Sequence, residues 1–143
     1  MQVMLTAEEL ERRLAAEFPE AFHPGSGLAI LAVAHRQARV RLAPQDKATR
    51  PGGTISGPTL MMLADVAMYV AVLASIGWEP LAVTTNLNIN FLRKPAPGAL
   101  IADCELLKLG RRLAVGAVTL TSEGEPEPVA HATSTYSIPP QNK

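Results

Sequence analysis

The most restrictive feature of this sequence is the run from 58 to 76, which has no polar face when it is drawn as a helix. Pro58 occupies a favoured first helical position, and Gly77 provides a stop. A helix that is apolar on every side lies either in a protein core or in a bilayer. Asp65 near its middle and the alternating segments that flank it favour a core helix over a membrane span, which needs ~20 apolar residues with few charges.

Segments of alternating polarity on both sides of this run predict the strands that cover it. Residues 28–34 and 38–42 are predicted to form a hairpin around His35 and Arg36. Four further strands are predicted, at 81–93, 99–109, 113–122 and 129–138. Because their connections are short, consecutive strands are expected to pair antiparallel, since a parallel pair needs a crossover of a dozen residues or more.

The clearest alternation lies in the predicted strand 81–93. Val83 and the apolar residues that follow it at odd-numbered positions share one face, and Thr84 shares the other with Asn86, Asn88 and Asn90. Thr84 is therefore predicted to lie opposite the apolar row.

An extra helix precedes these elements. The sequence Thr6-Ala7-Glu8-Glu9 is a capping box and predicts a helix from about Ala7 to Phe18. The whole pattern predicts an α+β fold, in which one face of an antiparallel sheet covers the apolar helix.

Composition narrows the class of protein. The 143 residues fit one domain, 1–143, and the 13 basic and 13 acidic residues give no positive field for nucleic acid. Cys104 is the one cysteine, and the first 18 residues lack the pattern of a signal peptide, so we expect a cytoplasmic location. Charged residues make up 18% of the chain and apolar residues 48%, so part of the apolar surface is expected to meet another subunit.

Asp65 is the one acid in the apolar helix. An unpaired carboxylate is costly to bury, so Asp65 needs a partner or a solvent-accessible pocket. Two interpretations stay open: an acid satisfied by a buried arginine or hydroxyl, and a general base or nucleophile.

The start of the helix offers a second candidate group. Gly52, Gly53 and Gly57 allow backbone conformations that other residues avoid, and the first amides of a helix can bind an oxyanion. Pro58 has no N–H, so the Gly57 amide is the favoured donor, although a plain glycine-rich loop with a good cap also explains these residues.

Spacing limits how the two groups could act together. Gly57 and Asp65 are eight residues apart, or about 12 Å along a helix at ~1.5 Å per residue. The two groups of one chain are too far apart to act on one carbonyl. Chemistry that uses both therefore predicts two helices packed antiparallel about a two-fold axis, with two identical sites per dimer.

Three stretches carry a family resemblance: Arg50-Pro-Gly-Gly-Thr-Ile-Ser-Gly-Pro-Thr-Leu-Met-Met-Leu-Ala-Asp65, Thr84-Thr-Asn-Leu-Asn-Ile-Asn-Phe-Leu-Arg-Lys-Pro95 and Gly110-Arg-Arg-Leu-Ala-Val115. They resemble the hotdog-fold thioesterases of the phenylacetate-pathway (PaaI-like) type, over about residues 28–138. The resemblance implies a homodimer or a tetramer built as a dimer of dimers, an antiparallel sheet wrapped around the central helix, and hydrolysis of acyl-CoA thioesters. It implies no cofactor and no metal.

The resemblance also implies roles for individual residues. Asp65 matches the catalytic carboxylate of the family, and Gly57 matches the glycine whose amide polarises the thioester carbonyl. Thr84 falls where relatives often have a serine or threonine that orients the attacking water. Arg111 and Arg112 suit the phosphates of CoA, although a pair of arginines in a turn is usually solvated surface.

Three positions depart from the family pattern. Ser56 replaces the usual histidine, Arg50 replaces a frequent asparagine, and Tyr69 stands where some relatives carry a small hydroxyl. These three join Thr84 and the two arginines as candidate substrate-binding residues. The leading hypothesis is thioester hydrolysis, and the alternative is a non-catalytic acyl-CoA binding or sensing protein on the same fold.

Overall fold

The structure, a computed structural model, describes residues 2–45 and 54–140. Its elements in chain order are α1 (Ala7–Glu17), β1 (Leu28–Ala34), β2 (Gln37–Leu42), α2 (Gly57–Ile76), β3 (Val83–Phe91), β4 (Leu100–Leu109), β5 (Leu113–Ser122) and β6 (Pro128–Ser137). The predicted α+β architecture is confirmed, with one six-stranded sheet, a long central helix and an additional N-terminal helix.

The sheet has the strand order β1-β2-β4-β5-β6-β3, and every neighbouring pair is antiparallel. The predicted hairpin around His35 and Arg36 is confirmed, and Arg36 takes a φ of 66° in its turn. Pairing of consecutive strands is also confirmed for β4 with β5 and for β5 with β6.

The prediction of consecutive pairing is wrong for β3 and β4. β3 pairs with β6 at one edge of the sheet, whereas β4 pairs with β2 in its interior. Residues 92–99 connect them, and at ~3.3 Å per residue this segment can reach about 26 Å, enough to pass from one strand to a distant one. The crossing lets β4 bury its apolar side beside β2 and leaves β3 at the edge.

α2 lies on one face of this sheet and contacts all six strands. Thirteen of its 20 residues are buried. It is the one helix in the described part of the chain that is long and apolar enough to cross a membrane by length and composition, and 67% of its apolar window is buried inside the protein. That burial is the arrangement expected of a core helix.

α1 begins at the predicted capping box. The Thr6 N–H donates to Glu9 Oε1 at 3.0 Å, and the Glu9 N–H donates to Thr6 Oγ1 at 3.2 Å. Leu10 and Leu14 are buried on its inner face, and the helix packs against β1 and α2. Its end therefore carries Phe18 to the side of the central helix.

A bulge in β3 reverses part of the predicted alternation. Thr84 pairs with Tyr136 and Asn86 pairs with Thr135, so Thr85 is left out of the pairing register, although its hydroxyl donates to the Thr135 carbonyl at 3.2 Å. Tyr136 and Ser134 are buried on the face of β6 that covers α2, and their partners Thr84 and Leu87 share that face. The prediction that Thr84 lies opposite the apolar row is wrong, because one extra residue in a strand turns the preceding side chains to the other face.

Candidate active site

Two hydroxyl groups hold the carboxylate of Asp65. Thr84 Oγ1 donates a hydrogen bond of 2.5 Å to Asp65 Oδ1, and the Tyr136 hydroxyl donates one of 3.0 Å to the same oxygen. The Tyr136 hydroxyl also lies 3.2 Å from the backbone oxygen of Asp65. These contacts join the middle of α2 to β3 and β6. They give the half-buried acid the hydroxyl partners expected if Asp65 is an acid satisfied by hydroxyl groups.

The electrostatics of Tyr136 keep it a donor. Burial, followed by the negative charge of Asp65, raises the pKa of Tyr136 well above the ordinary range. Burial, with smaller contributions from Glu17 and Glu79, also raises the pKa of the neighbouring Tyr69. Both phenols are therefore protonated across the physiological range.

Asp65 also borders a cavity, which the functional interpretation requires. The cavity measures about 510 Å³ and lies between α1, α2 and the start of β3. Besides Asp65, Thr84 and Tyr136, its walls include the side chains of Phe18, Tyr69 and Trp78. A cavity of about 580 Å³ on the other face of the sheet contains none of the predicted site residues.

The aromatic walls are stacked on one another. The rings of Tyr69 and Tyr136 lie 6.0 Å apart with an interplanar angle of 26°, and Phe18 meets Tyr69 edge-on at 6.2 Å. The Tyr69 hydroxyl donates to the Pro80 carbonyl at 2.9 Å, away from Asp65. Four of the six aromatic residues in the sequence, Phe18, Tyr69, Trp78 and Tyr136, line this one cavity.

Gly57 is the predicted donor to the thioester carbonyl, and it lies at the N-terminal end of α2. It is the first residue of α2, and a Cβ added to it would lie 3.3 Å from the ring of Phe91. Ser56 is the N-cap, with Thr59 N–H donating to its Oγ at 3.4 Å. Gly57 is not among the cavity walls, because the uninterrupted helix separates it from Asp65 by about 12 Å.

The other predicted substrate-binding residues are placed as follows. Tyr69 lines the Asp65 cavity, and Arg50 lies outside the described residues. Arg111 and Arg112 are exposed in the turn between β4 and β5, and neither lines the cavity. The Arg112 carbonyl accepts from Ile138 N–H, which places this turn at the end of the sheet where Tyr136 lies.

Tyr136 was absent from the sequence prediction. Its one signal was a tyrosine at an inward position of the predicted strand 129–138, because a buried phenol usually finds a hydrogen-bond partner. The partner could not be named, since it depends on the register between β3, β6 and α2.

Fold and sequence comparison together define the class of this protein. The family described as the thioesterase superfamily matches residues 52–129, more than half of the chain. The chain therefore belongs to the thioesterase superfamily, and its sheet and central helix form the hotdog fold.

Individual relatives agree with this assignment. A presumed thioesterase from Silicibacter is 47% identical, with a TM-score of 0.88 over 98% of this chain and 96% of that one. A variant of the phenylacetic acid degradation protein PaaI from Thermus thermophilus is 28% identical, with a TM-score of 0.71 over 82% and 98%. The 1,4-dihydroxy-2-naphthoyl-CoA hydrolase of Listeria monocytogenes is 26% identical over 69% of this chain and 80% of its own length.

Proposed function

We propose that this protein hydrolyses acyl-CoA thioesters as a homodimer, with Asp65 as its catalytic carboxylate. The observation that carries the proposal is the position of Asp65. It is the one acid of a buried helix, it is held by two hydroxyls, and it borders a cavity with aromatic walls. A carboxylate kept at the wall of a concave, mostly apolar site is the arrangement expected of a catalytic acid or base.

The exposed edge of the sheet supports the dimer. β3 forms one edge of the sheet, and Val83 and Phe91 at its two ends are more than half exposed. An unprotected edge strand is a template for pairing with another chain. Two copies of β3 paired antiparallel about Leu87 would continue the sheet across a two-fold axis.

That pairing would bring the two proposed catalytic groups together. Phe91 contacts the position of Gly57, and Val83 precedes the Thr84 that holds Asp65. In an antiparallel pair centred on Leu87, the bulged Thr85 is left unpaired, so Ile89 of one subunit lies opposite Thr84 of the other and Phe91 lies just beyond, beside Val83. The Gly57 amide of one subunit would therefore face the Asp65 carboxylate of its partner.

The proposed reaction uses both groups. The Gly57 N–H donates to the thioester carbonyl oxygen and stabilises the charge that develops there. Asp65 takes a proton from a water whose oxygen adds to the carbonyl carbon. The carbon–sulfur bond then breaks, CoA leaves as a thiolate that takes up a proton, and the free acid remains.

The cavity and the exposed arginines suit the two parts of the substrate. The side chains of Phe18, Tyr69 and Trp78 form flat apolar walls that favour a flat or apolar acyl group. Arg111 and Arg112 are exposed at the same end of the sheet, where they would meet the phosphates of CoA. A cytoplasmic location, where acyl-CoA is available, stays a prediction.

The decisive experiment is a thiol-release assay over aromatic, short, medium and long acyl-CoAs. Wild-type protein should release CoA, and Asp65→Asn should lose at least about 100-fold in kcat while keeping its far-UV spectrum. Asp103→Asn is the matched control, because Asp103 pairs with Arg39 on the opposite face of the sheet. Turnover that is unchanged in Asp65→Asn would remove Asp65 from the mechanism. Tight acyl-CoA binding without thiol release by the wild type would favour a binding or sensing protein.

A further inference from the structure

The two side-chain hydrogen bonds to Asp65 end on the same oxygen. Thr84 and Tyr136 both donate to Oδ1, and no donor in residues 2–45 and 54–140 reaches Oδ2. The convergence follows from the sheet, because Thr84 and Tyr136 are directly paired across β3 and β6. Side chains of directly paired residues point to the same face and lie within about 5.5 Å at Cβ.

We propose that Tyr136 is a positioning residue that fixes Oδ1 and leaves Oδ2 as the oxygen presented to the cavity. The catalytic part of this inference rests on the proposed thioesterase function. One hydroxyl of Tyr136 contacts both the carboxylate and the backbone oxygen of Asp65, so it restrains the side chain relative to its own helix. The stacked ring of Tyr69 holds the Tyr136 ring in place. An oxygen with no donor keeps its lone pairs for the proton of water.

The surroundings of Asp65 make the contribution of each hydroxyl measurable. The titratable groups that face it are Tyr136 from β6 and Tyr69 from α2, and Glu17 from α1 lines the same cavity. Glu79, after α2, acts on Tyr69. No lysine, arginine or histidine is among the described cavity walls. The hydrogen bonding of the Asp65 carboxylate therefore depends on hydroxyl donors, and loss of one donor changes the surroundings of Oδ1.

Carboxyl NMR tests this dependence without reference to catalysis. The sequence contains three aspartates, Asp46, Asp65 and Asp103, so aspartate-selective carbon-13 labelling gives three carboxyl signals, and Asp65→Asn identifies one of them. In Tyr136→Phe, compared with the wild type at one fixed pH, the Asp65 signal should shift, because its carboxyl group loses a hydrogen bond at Oδ1. The Asp103 signal should not move.

Tyr69→Phe is the matched control. It removes a hydroxyl from the same aromatic stack, but that hydroxyl bonds the Pro80 carbonyl rather than Asp65. The Asp65 signal should stay at its wild-type position in this variant. Equal movement in both variants would show a general effect of the stack and would overturn the role given to the Tyr136 hydroxyl.

A measurement that keeps Tyr136 in place covers the case in which Tyr136→Phe is too unstable to study. The sequence has two tyrosines, so carbon-13 labelling at the Cζ of tyrosine gives two signals. The Tyr136 signal should shift in Asp65→Asn, which removes the carboxylate that accepts its hydrogen bond, and the Tyr69 signal should not. A Tyr136 signal that is unchanged in Asp65→Asn would overturn the proposal.

Kinetics then separates positioning from substrate binding. Tyr136→Phe should lower kcat about 10-fold and leave KM within about 2-fold. Wild-type protein without turnover would refute the proposed function, while the NMR result would still decide whether Tyr136 holds Asp65. Wild-type turnover with an unmoved Asp65 signal in Tyr136→Phe would refute the positioning role alone.

Discussion

Thr84 and Asp65 are 19 residues apart in the chain, and the Thr84 hydroxyl lies 2.5 Å from Asp65 Oδ1. The contact depends on the bulge at Thr85, because without the extra residue Thr84 would face away from α2. Bulges often lie beside active sites, where they redirect one side chain. The position of this bulge beside Asp65 is therefore consistent with a functional role for Thr84.

Replacement of Thr84 tests that role directly. Thr84→Val keeps the β-branched shape and removes the hydroxyl, so kcat should fall about 10-fold, in line with the loss of a hydrogen bond to a charged group. Thr84→Ser keeps the hydroxyl and should retain most of the activity. Steady-state kinetics on one good acyl-CoA substrate would compare the three proteins. Equal activities in Thr84→Val and the wild type would show that this hydrogen bond does not assist catalysis.

A hybrid dimer tests whether the site is shared between subunits. Asp65→Asn and Gly57→Val should each be inactive, the second because a side chain at Gly57 meets the Phe91 ring and displaces the amide. A purified hybrid of the two variants contains one subunit with an intact Asp65 and one with an intact Gly57. If these residues act across the interface, the hybrid regains one of its two sites. An inactive hybrid would place both groups within one subunit.

The sequence predicts the parts of this fold that depend on local pattern. The apolar run gives α2, the capping box gives the start of α1, and alternation gives the strands within a few residues. A local pattern does not predict the edge position of β3, because that position depends on which strand pairs with β2. The bulge at Thr85 was equally hidden, since an alternating pattern does not show which residue lacks a partner.

In the candidate site, too, some residues are predicted by a local pattern and others depend on contacts between distant parts of the chain. Asp65 was identified because a lone acid in an apolar helix violates a local rule. Tyr136 was missed because its partner is set by the register of three elements that are distant in the chain. Arg111 and Arg112 show the converse case, since their charge is evident in the sequence, while their position outside the cavity walls is a property of the folded chain.

Close packing between α2 and the sheet leads to a prediction about stability. A Cβ added to Gly116 would lie 2.6 Å from Met68 Sδ and 3.2 Å from the backbone oxygen of Glu105. Gly116→Ala should therefore lower the free energy of unfolding by about 1–3 kcal/mol, the usual cost of overpacking a core. Gly110→Ala is the matched control, because its nearest neighbour is the Leu113 oxygen at 3.4 Å. Urea denaturation of both variants gives the comparison, and equal midpoints would contradict the close approach to Met68.

The buried thiol of Cys104 predicts how stability changes at alkaline pH. Burial, with a smaller contribution from Glu105, raises the pKa of Cys104 from 9.0 to about 12. Between these values the unfolded chain loses the thiol proton and the folded chain keeps it. Stability should therefore be fully retained below about pH 9 and should fall as the pH rises towards 12.

Removal of the thiol isolates its part of that decline. Between pH 9 and 12 the free energy of unfolding of Cys104→Ala should depend less on pH than that of the wild type, by the equivalent of up to one proton per molecule. The lost side chain lowers the stability of this variant at every pH. The raised pKa of Tyr136 acts in the same direction and remains in the variant, so part of the decline should persist. A thiol-reactive dye should label Cys104 in urea but not in the native protein, because the thiolate is the reactive form and the folded chain suppresses it. Rapid native labelling at pH 8, or an unchanged alkaline slope in Cys104→Ala, would show that the thiol ionises in the folded chain as easily as in the unfolded one.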